Sequence, residues 1–217
     1  MLEYKGIKIF WLGHAGFKIK NSRTIYIDPF NIKPSEPADL ILITHEHFDH
    51  FSTKDIKKIL NRSIAVCPEF CKLEFLRLGV KEILTVEPGK KYSIGETEIE
   101  AFPAYNINKF RSPGVVYHPK KDKRVGYLIT LNGVRIYHAG DTDFIPEMKE
   151  ISADIVILPV GGTYTMTAEE AANAVNTIKP KIAIPYHFGD IVGSERDAKL
   201  FSSFVLNSKV EILKVEK

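Results

Sequence analysis

Glutamine is absent from the 217 residues, and cysteine (two), methionine (three) and tryptophan (one) are scarce. Cys67 and Cys71 stand four apart in Cys67-Pro68-Glu69-Phe70-Cys71. That is not the Cys-x-x-Cys spacing of a redox pair or zinc ribbon, so both are expected at ordinary, half-buried packing positions. No apolar run approaches the roughly 20 residues of a membrane span, and Met1-Leu2-Glu3-Tyr4-Lys5 has no signal-peptide core. A membrane partner is therefore not expected, and the cytoplasm is the expected location. Charge of one sign is not in excess either. The formal net charge of +3 is too mild to argue for nucleic acid, without excluding it. Repeats, low-complexity tracts and linkers are missing, so residues 1–217 are expected to form a single domain. At 44% hydrophobic and 26% charged residues the composition is that of an ordinary globular protein. The missing glutamine, beside abundant Lys, Glu and Ile, points to a thermophilic source.

What is present is histidine in one place. His45-Glu46-His47-Phe48-Asp49-His50 crowds three imidazoles and two carboxylates, of which Asp49 concerns the site, just after the apolar run Leu40-Ile41-Leu42-Ile43. Imidazole and carboxylate suit zinc, iron and manganese, and neighbouring imidazoles would repel one another when protonated. His45 and His47 stand two apart, so in an extended segment both rings point to one side and grip one ion. Asp49 and His50 follow where the chain must turn. A helical zincin site needs His-Glu-x-x-His, and Asp49 occupies the position of its second histidine. Two later segments have a related form: Val134-Arg135-Ile136-Tyr137-His138-Ala139-Gly140-Asp141 and Lys181-Ile182-Ala183-Ile184-Pro185-Tyr186-His187. Each is a short apolar strand with a metal-type residue at its carboxyl end.

Taken in order, His45-x-His47-x-Asp49-His50, Gly140-Asp141 and His187 resemble the motifs of the metallo-β-lactamase superfamily. Leu12-Gly13-His14-Ala15-Gly16-Phe17 and Ile25-Tyr26-Ile27-Asp28-Pro29-Phe30 are similar to the opening strands of its small metal-dependent hydrolase branch. The resemblance implies His45 and His47 on a first metal, Asp49, His50 and His187 on a second, and Asp141 bridging both. It also implies one or two Zn2+ ions, with Mn2+ or Fe as alternatives, and catalytic roles for Asp49 and Asp141. The family supplies a further histidine to the first metal from a strand end before Gly140-Asp141. Here that region reads Ala101-Phe102-Pro103-Ala104-Tyr105-Asn106, without an imidazole. His118, an oxygen from Asn106 or Tyr105, and solvent are the candidate substitutes. His14 is a candidate contact near the metals or a structural turn residue, and His138, inside the strand before Asp141, is expected in a hydrogen-bonded core role or behind the ligands and not as a ligand.

The implied activity is hydrolysis of an ester-type bond in a small-molecule or phosphodiester substrate. Phosphodiester is placed ahead of lactone and thioester on account of relatives and of Lys120-Lys121-Asp122-Lys123-Arg124, a run that reads equally as a solvated hairpin tip. The alternatives are a catalytically weak metal-binding sensor or scaffold, and a di-iron redox protein.

Alternation and turn residues predict strands near 7–11, 16–20, 24–28, 40–43, 64–66, 82–86, 97–102, 125–131, 134–139, 154–158, 181–185 and 210–213. Ser52 with Asp55, Thr167 with Glu170 and Ser194 with Asp197 mark helix starts. The simplest architecture is an α/β fold, an αββα sandwich of two mixed β-sheets flanked by helices, which is also what the resemblance implies.

Overall fold

The computed structural model describes residues 1–216, which divide into two compact units. One comprises residues 1–87 with the segment from Leu213, and the other Pro88–Ile212.

In the first unit, β1 (Leu2–Tyr4), β2 (Ile7–Gly13), β3 (Gly16–Lys20), β4 (Thr24–Ile27), β5 (Leu40–Leu42), β6 (Ile64–Pro68) and β7 (Glu82–Val86) form a seven-stranded sheet in that order. Tight turns make β1 to β4 antiparallel. From β4 onward the pairs are parallel, a geometry that requires longer crossovers. Helices α1 (Thr53–Ile59) and α2 (Lys72–Arg77) supply two of these. Ser52 caps α1 by accepting from Asp55 N, as its sequence predicts. Strand and helix faces meet in a core that includes Ile41, Ile43, Ile56, Ile59, Phe75, Cys67 and Cys71. Both cysteines are completely buried, not half-buried, because Cys67 lies near the end of an inner strand and Cys71, in the following turn, joins the same core. Burial pushes the Cys67 thiol up to about 12. The segment from Leu213 belongs here because Val215 pairs with Trp11 and Glu216 reaches the buried Lys18 at 2.9 Å.

In the second unit the strands are β8 (Lys91–Ile94), β9 (Thr97–Pro103), β10 (Phe110–Ser112), β11 (Val115–Val116), β12 (Val125–Leu131), β13 (Val134–His138), β14 (Ile155–Pro159), β15 (Ile182–Tyr186) and β16 (Lys209–Val210). Seven of them form a sheet in the order β16-β15-β14-β13-β12-β9-β8, and β10 and β11 make a separate two-stranded ribbon. This sheet too is antiparallel on one side, from β8 to β13, and parallel on the other. Helices α3 (Ala168–Ile178) and α4 (Glu195–Phe204) serve its parallel half. Thr167 and Glu170 close the capping box expected at the start of α3, and Asp197 accepts from Ser194 N at the start of α4.

Both sheets are mixed and both carry helices, as the sequence predicts. The unpredicted strands are β1, β8, β10 and β11, which are short or exposed and lack a clean apolar alternation. Among the described residues, no helix is long and apolar enough to cross a membrane.

Candidate metal centre

The first cluster lies at the carboxyl end of β5. The chain leaves the sheet at Ile43 and turns through 45–51, with His50 N and Phe51 N both donating to His47 O. That turn stacks the histidines: ring centroids are 4.6 Å apart for His45 and His47 and 4.0 Å for His45 and His50. His45 Nε2 lies 3.1 Å from His47 Nδ1. His14, from the turn between β2 and β3, brings Nε2 to 2.9 Å from Asp49 Oδ2, and His50 Nε2 is 4.0 Å from that oxygen.

A buried carboxylate organises this cluster. Asp28, completely buried after β4, accepts from Thr44 N at 2.8 Å and from the Thr44 hydroxyl at 2.6 Å. Its Oδ2 also lies 2.8 Å from His50 Nδ1. The Thr44 proton is committed to Asp28, so its oxygen accepts from His45 Nδ1 at 3.0 Å. With these partners His45 and His50 each carry the proton on Nδ1 and the lone pair on Nε2, the form a ligating imidazole takes. His14 and Asp28 have φ of 45° and 44°, a left-handed conformation that is uncommon away from glycine and held here by the surrounding bonds.

The second cluster is assembled from three separated segments. Asp141 follows β13 after Gly140, whose φ of 67° makes the turn, and the Tyr186 hydroxyl fixes that turn by donating to Gly140 O at 2.6 Å. His187 follows β15, with φ 61° and Nε2 3.3 Å from Asp141 Oδ2. A Cβ on Gly161 would sit 2.4 Å from His187 O, so the Gly161-Gly162 loop is glycine-rich to admit this histidine. His118, just beyond β11, has Nε2 3.8 Å from the same Asp141 oxygen. Asn106 does not turn its oxygen to the cluster: Oδ1 accepts from His118 N at 2.9 Å and faces His118 Nδ1 at 2.8 Å. Tyr105 is directed elsewhere, its hydroxyl donating to Glu147 at 2.9 Å. His138 packs on Tyr186 at 4.7 Å, and its Nδ1 accepts from Gly140 N at 3.3 Å.

The donor sets fit a metal. His14, His45 and His50 of the first cluster and His118, Asp141 and His187 of the second are each at least nine-tenths buried, and buried imidazole nitrogens beside a carboxylate are a donor set that suits a transition-metal cation. Two nitrogens bound to zinc at about 2.0–2.1 Å in tetrahedral geometry stand about 3.3 Å apart, close to the 3.1 Å between His45 and His47. The sequence missed Asp28, Thr44 and Asp143. Asp143 accepts from Ile107 N at 2.6 Å, Asn108 N at 2.9 Å and Asn106 Nδ2 at 3.0 Å. The visible cue was position alone, since Asp28 follows β4 and Asp143 follows Gly140-Asp141-Thr142.

A family model described as a beta-lactamase superfamily domain matches residues 8–187. The chain belongs to that superfamily. A UPF0173 metal-dependent hydrolase of Archaeoglobus fulgidus is 33% identical, over 96% of this chain and 96% of its own. The crystal structure of a Parabacteroides distasonis protein that bears the name metal-dependent hydrolase is 33% identical with a TM-score of 0.83, covering 97% of this chain and 94% of that one. With these relatives the chain falls among the superfamily's metal-dependent hydrolases, and its fold is the α/β metallo-β-lactamase fold with two mixed sheets flanked by helices. CmlA, a diiron β-hydroxylase from Streptomyces venezuelae, has a TM-score of 0.76 at 17% identity and covers 99% of this chain and 54% of that one. That likeness is of fold alone.

Proposed function

We propose that the two units act as one domain that hydrolyses an ester-type bond with water activated at one or two metal ions, zinc ahead of manganese or iron. His45, His47 and His118 would hold the first ion, Asp49, His50 and His187 the second, and Asp141 both. Bound ions would supply Lewis acidity, making water a nucleophile near neutral pH and offsetting charge on the cleaved group. The observation that carries this reading is the Asp28–Thr44 pair, which holds protons on Nδ1 of both His45 and His50. The Nε2 lone pairs then face His47 at 3.1 Å and Asp49 at 4.0 Å, the side chains proposed to share an ion with each.

The remaining steps fall to the chain's own groups. Asp49, held by His14 Nε2, would orient the attacking water. Asp141 would balance charge, and His14 would keep the Asp49 carboxylate aimed without ligating. Phe48, between His47 and Asp49, is 71% exposed and edge-on to Phe30 at 5.9 Å. It would give the substrate an apolar wall. Within the basic run, Lys120 pairs with Glu147 at 2.7 Å and Arg124 is buried beside Asp122 at 3.8 Å, which leaves Lys121 and Lys123 exposed. Phosphodiester therefore stays first among ester, lactone and thioester on a narrower footing, as a solvated turn accounts for most of the run. A cytoplasmic location and a thermophilic source belong to the same reading.

Turnover of a panel of phosphodiester, lactone, ester and thioester substrates by protein loaded with zinc, manganese or iron in turn tests it. Metal-dependent release of product from one class, lost in His45→Ala, is expected. Metal uptake without turnover of any class would replace the hydrolase by a sensor.

A further inference from the structure

Asn106 occupies the segment where the family resemblance leads one to expect a ligand histidine, and its amide has no capacity left for a metal. Nδ2 donates to Asp143 Oδ1 at 3.0 Å and to Tyr164 O at 2.9 Å. Oδ1 meets His118 N at 2.9 Å and His118 Nδ1 at 2.8 Å. An amide offers two hydrogens and two lone pairs, and all four are used. Two acceptors claim the hydrogens, so the atom facing His118 must be oxygen. His118 Nδ1 then carries a proton, and the lone pair is on Nε2, the nitrogen that faces Asp141 Oδ2 at 3.8 Å.

Asp143 is one of the two acceptors that hold the amide nitrogen. It is 2% exposed, and its Oδ2 accepts from Ile107 N and Asn108 N, which folds the loop around Asn106. Lys109 Nζ lies 3.5 Å from Oδ1 and balances its charge while bonding Glu170 at 2.7 Å. Without an acceptor at Asp143, the Asn106 amide loses one of the two groups that hold its nitrogen away from His118. A reversed amide would present hydrogens to Nδ1 and move the imidazole proton to Nε2, where it blocks ligation.

We infer that Asp143, acting through Asn106, is a positioning residue that sets the tautomer and aim of His118 as a metal ligand. The inference rests on the proposed role of His118. It turns the missing family histidine into a two-residue device: the expected position holds the orienting amide, and the imidazole arrives from the loop it orients.

The test combines two measurements. In metal-free wild-type protein at neutral pH, long-range proton–nitrogen NMR of the imidazoles should find His118 protonated on Nδ1; protonation on Nε2 would overturn the inference. Zinc affinity by chelator competition is then compared for wild type, His118→Ala, Asn106→Ala and Asp143→Asn, with thermal unfolding of each metal-free variant reporting on the fold. His118→Ala should lose one ion, and the other two variants should bind that ion about 10–100-fold more weakly while holding the second ion. If His118→Ala loses the ion but Asn106→Ala and Asp143→Asn bind as wild type, the positioning role fails and the ligand role stands. If His118→Ala binds as wild type, the ligand role fails and takes the positioning role with it.

Discussion

Residues 45–50 deliver their candidate ligands from one turn, whereas the Pro88–Ile212 unit gathers Asp141, His118 and His187 from three distant segments. The two clusters nevertheless share one construction. In the first, Asp28 reaches His45 Nδ1 through the Thr44 hydroxyl; in the second, Asp143 reaches His118 Nδ1 through the Asn106 amide. In both, the carboxylate also gathers backbone N–H groups of the ligand-bearing loop, at Thr44 in one and at Ile107 and Asn108 in the other. A buried carboxylate outside the ligand set thus organises each cluster, and the nearer group is only its relay. They differ in load: Asp28 holds two histidines, and Asp143 holds one.

That difference ranks the variants. Asp28→Ala frees both His45 and His50, one at each proposed ion, so both ions, and not one as in Asp143→Asn, should bind about 10–100-fold more weakly, read by chelator competition. A smaller effect than that of Asp143→Asn would break the comparison. Next is Gly126→Ala, since a Cβ there would sit 2.5 Å from Ala139 O and 2.7 Å from His138 O. Forcing β12 from the end of β13 should cost about 1–3 kcal/mol in urea unfolding and weaken metal binding through Asp141. Gly16→Ala in the first unit, with its nearest contacts at 3.1–3.3 Å, should cost less.

Acid sensitivity separates the units more finely. Burial pushes the Asp55 carboxyl up, but hydrogen bonds from Lys58, Ser52 and Asn31 outweigh it and hold the pKa below the ordinary value. For Glu170 burial is likewise outweighed, by bonds from Lys109, Asn108 and Thr167. A lowered carboxylate stabilises the fold above its unfolded pKa, near 4, and that stability is lost as pH falls through the folded value. Asp55→Asn and Glu170→Gln should therefore each narrow the stability difference between pH 7 and pH 3, and Asp55, whose side chain is the more buried, should do so more. Equal or inverted slopes in denaturant titrations at the two pH values would contradict this. The smallest effect belongs to Cys67. With its thiol pushed up to about 12, it should resist alkylation at pH 8 in the native state, and Cys67→Ala should leave metal content unchanged.

The first cluster was legible in the sequence because its candidate ligands are contiguous, so spacing alone carried the geometry. Asp141 and His187 were legible as polar residues ending apolar strands. Asp28 was not, because it meets His50 across 22 positions only after β4 and β5 pair, with Ile27 opposite Leu42. Asn106 and Asp143 lie 37 positions apart, and nothing local distinguishes an asparagine that ligates from one that orients. The mixed sheets were readable from strand patterns. The full burial of Cys67 and Cys71 was not, since it depends on α2 folding back onto β6. The short ribbon of β10 and β11 has no buried face to leave a pattern.

The central claim is that His118 completes the first metal site in place of the family's usual histidine. A crystal structure of zinc-loaded protein with anomalous scattering recorded at the zinc edge tests it directly. The account expects two anomalous peaks, one touching His45, His47 and His118 through its Nε2, the other Asp49, His50 and His187, with Asp141 touching both. Two occupied peaks with His118 bound to neither, or with Asn106 oxygen as a ligand, would contradict it.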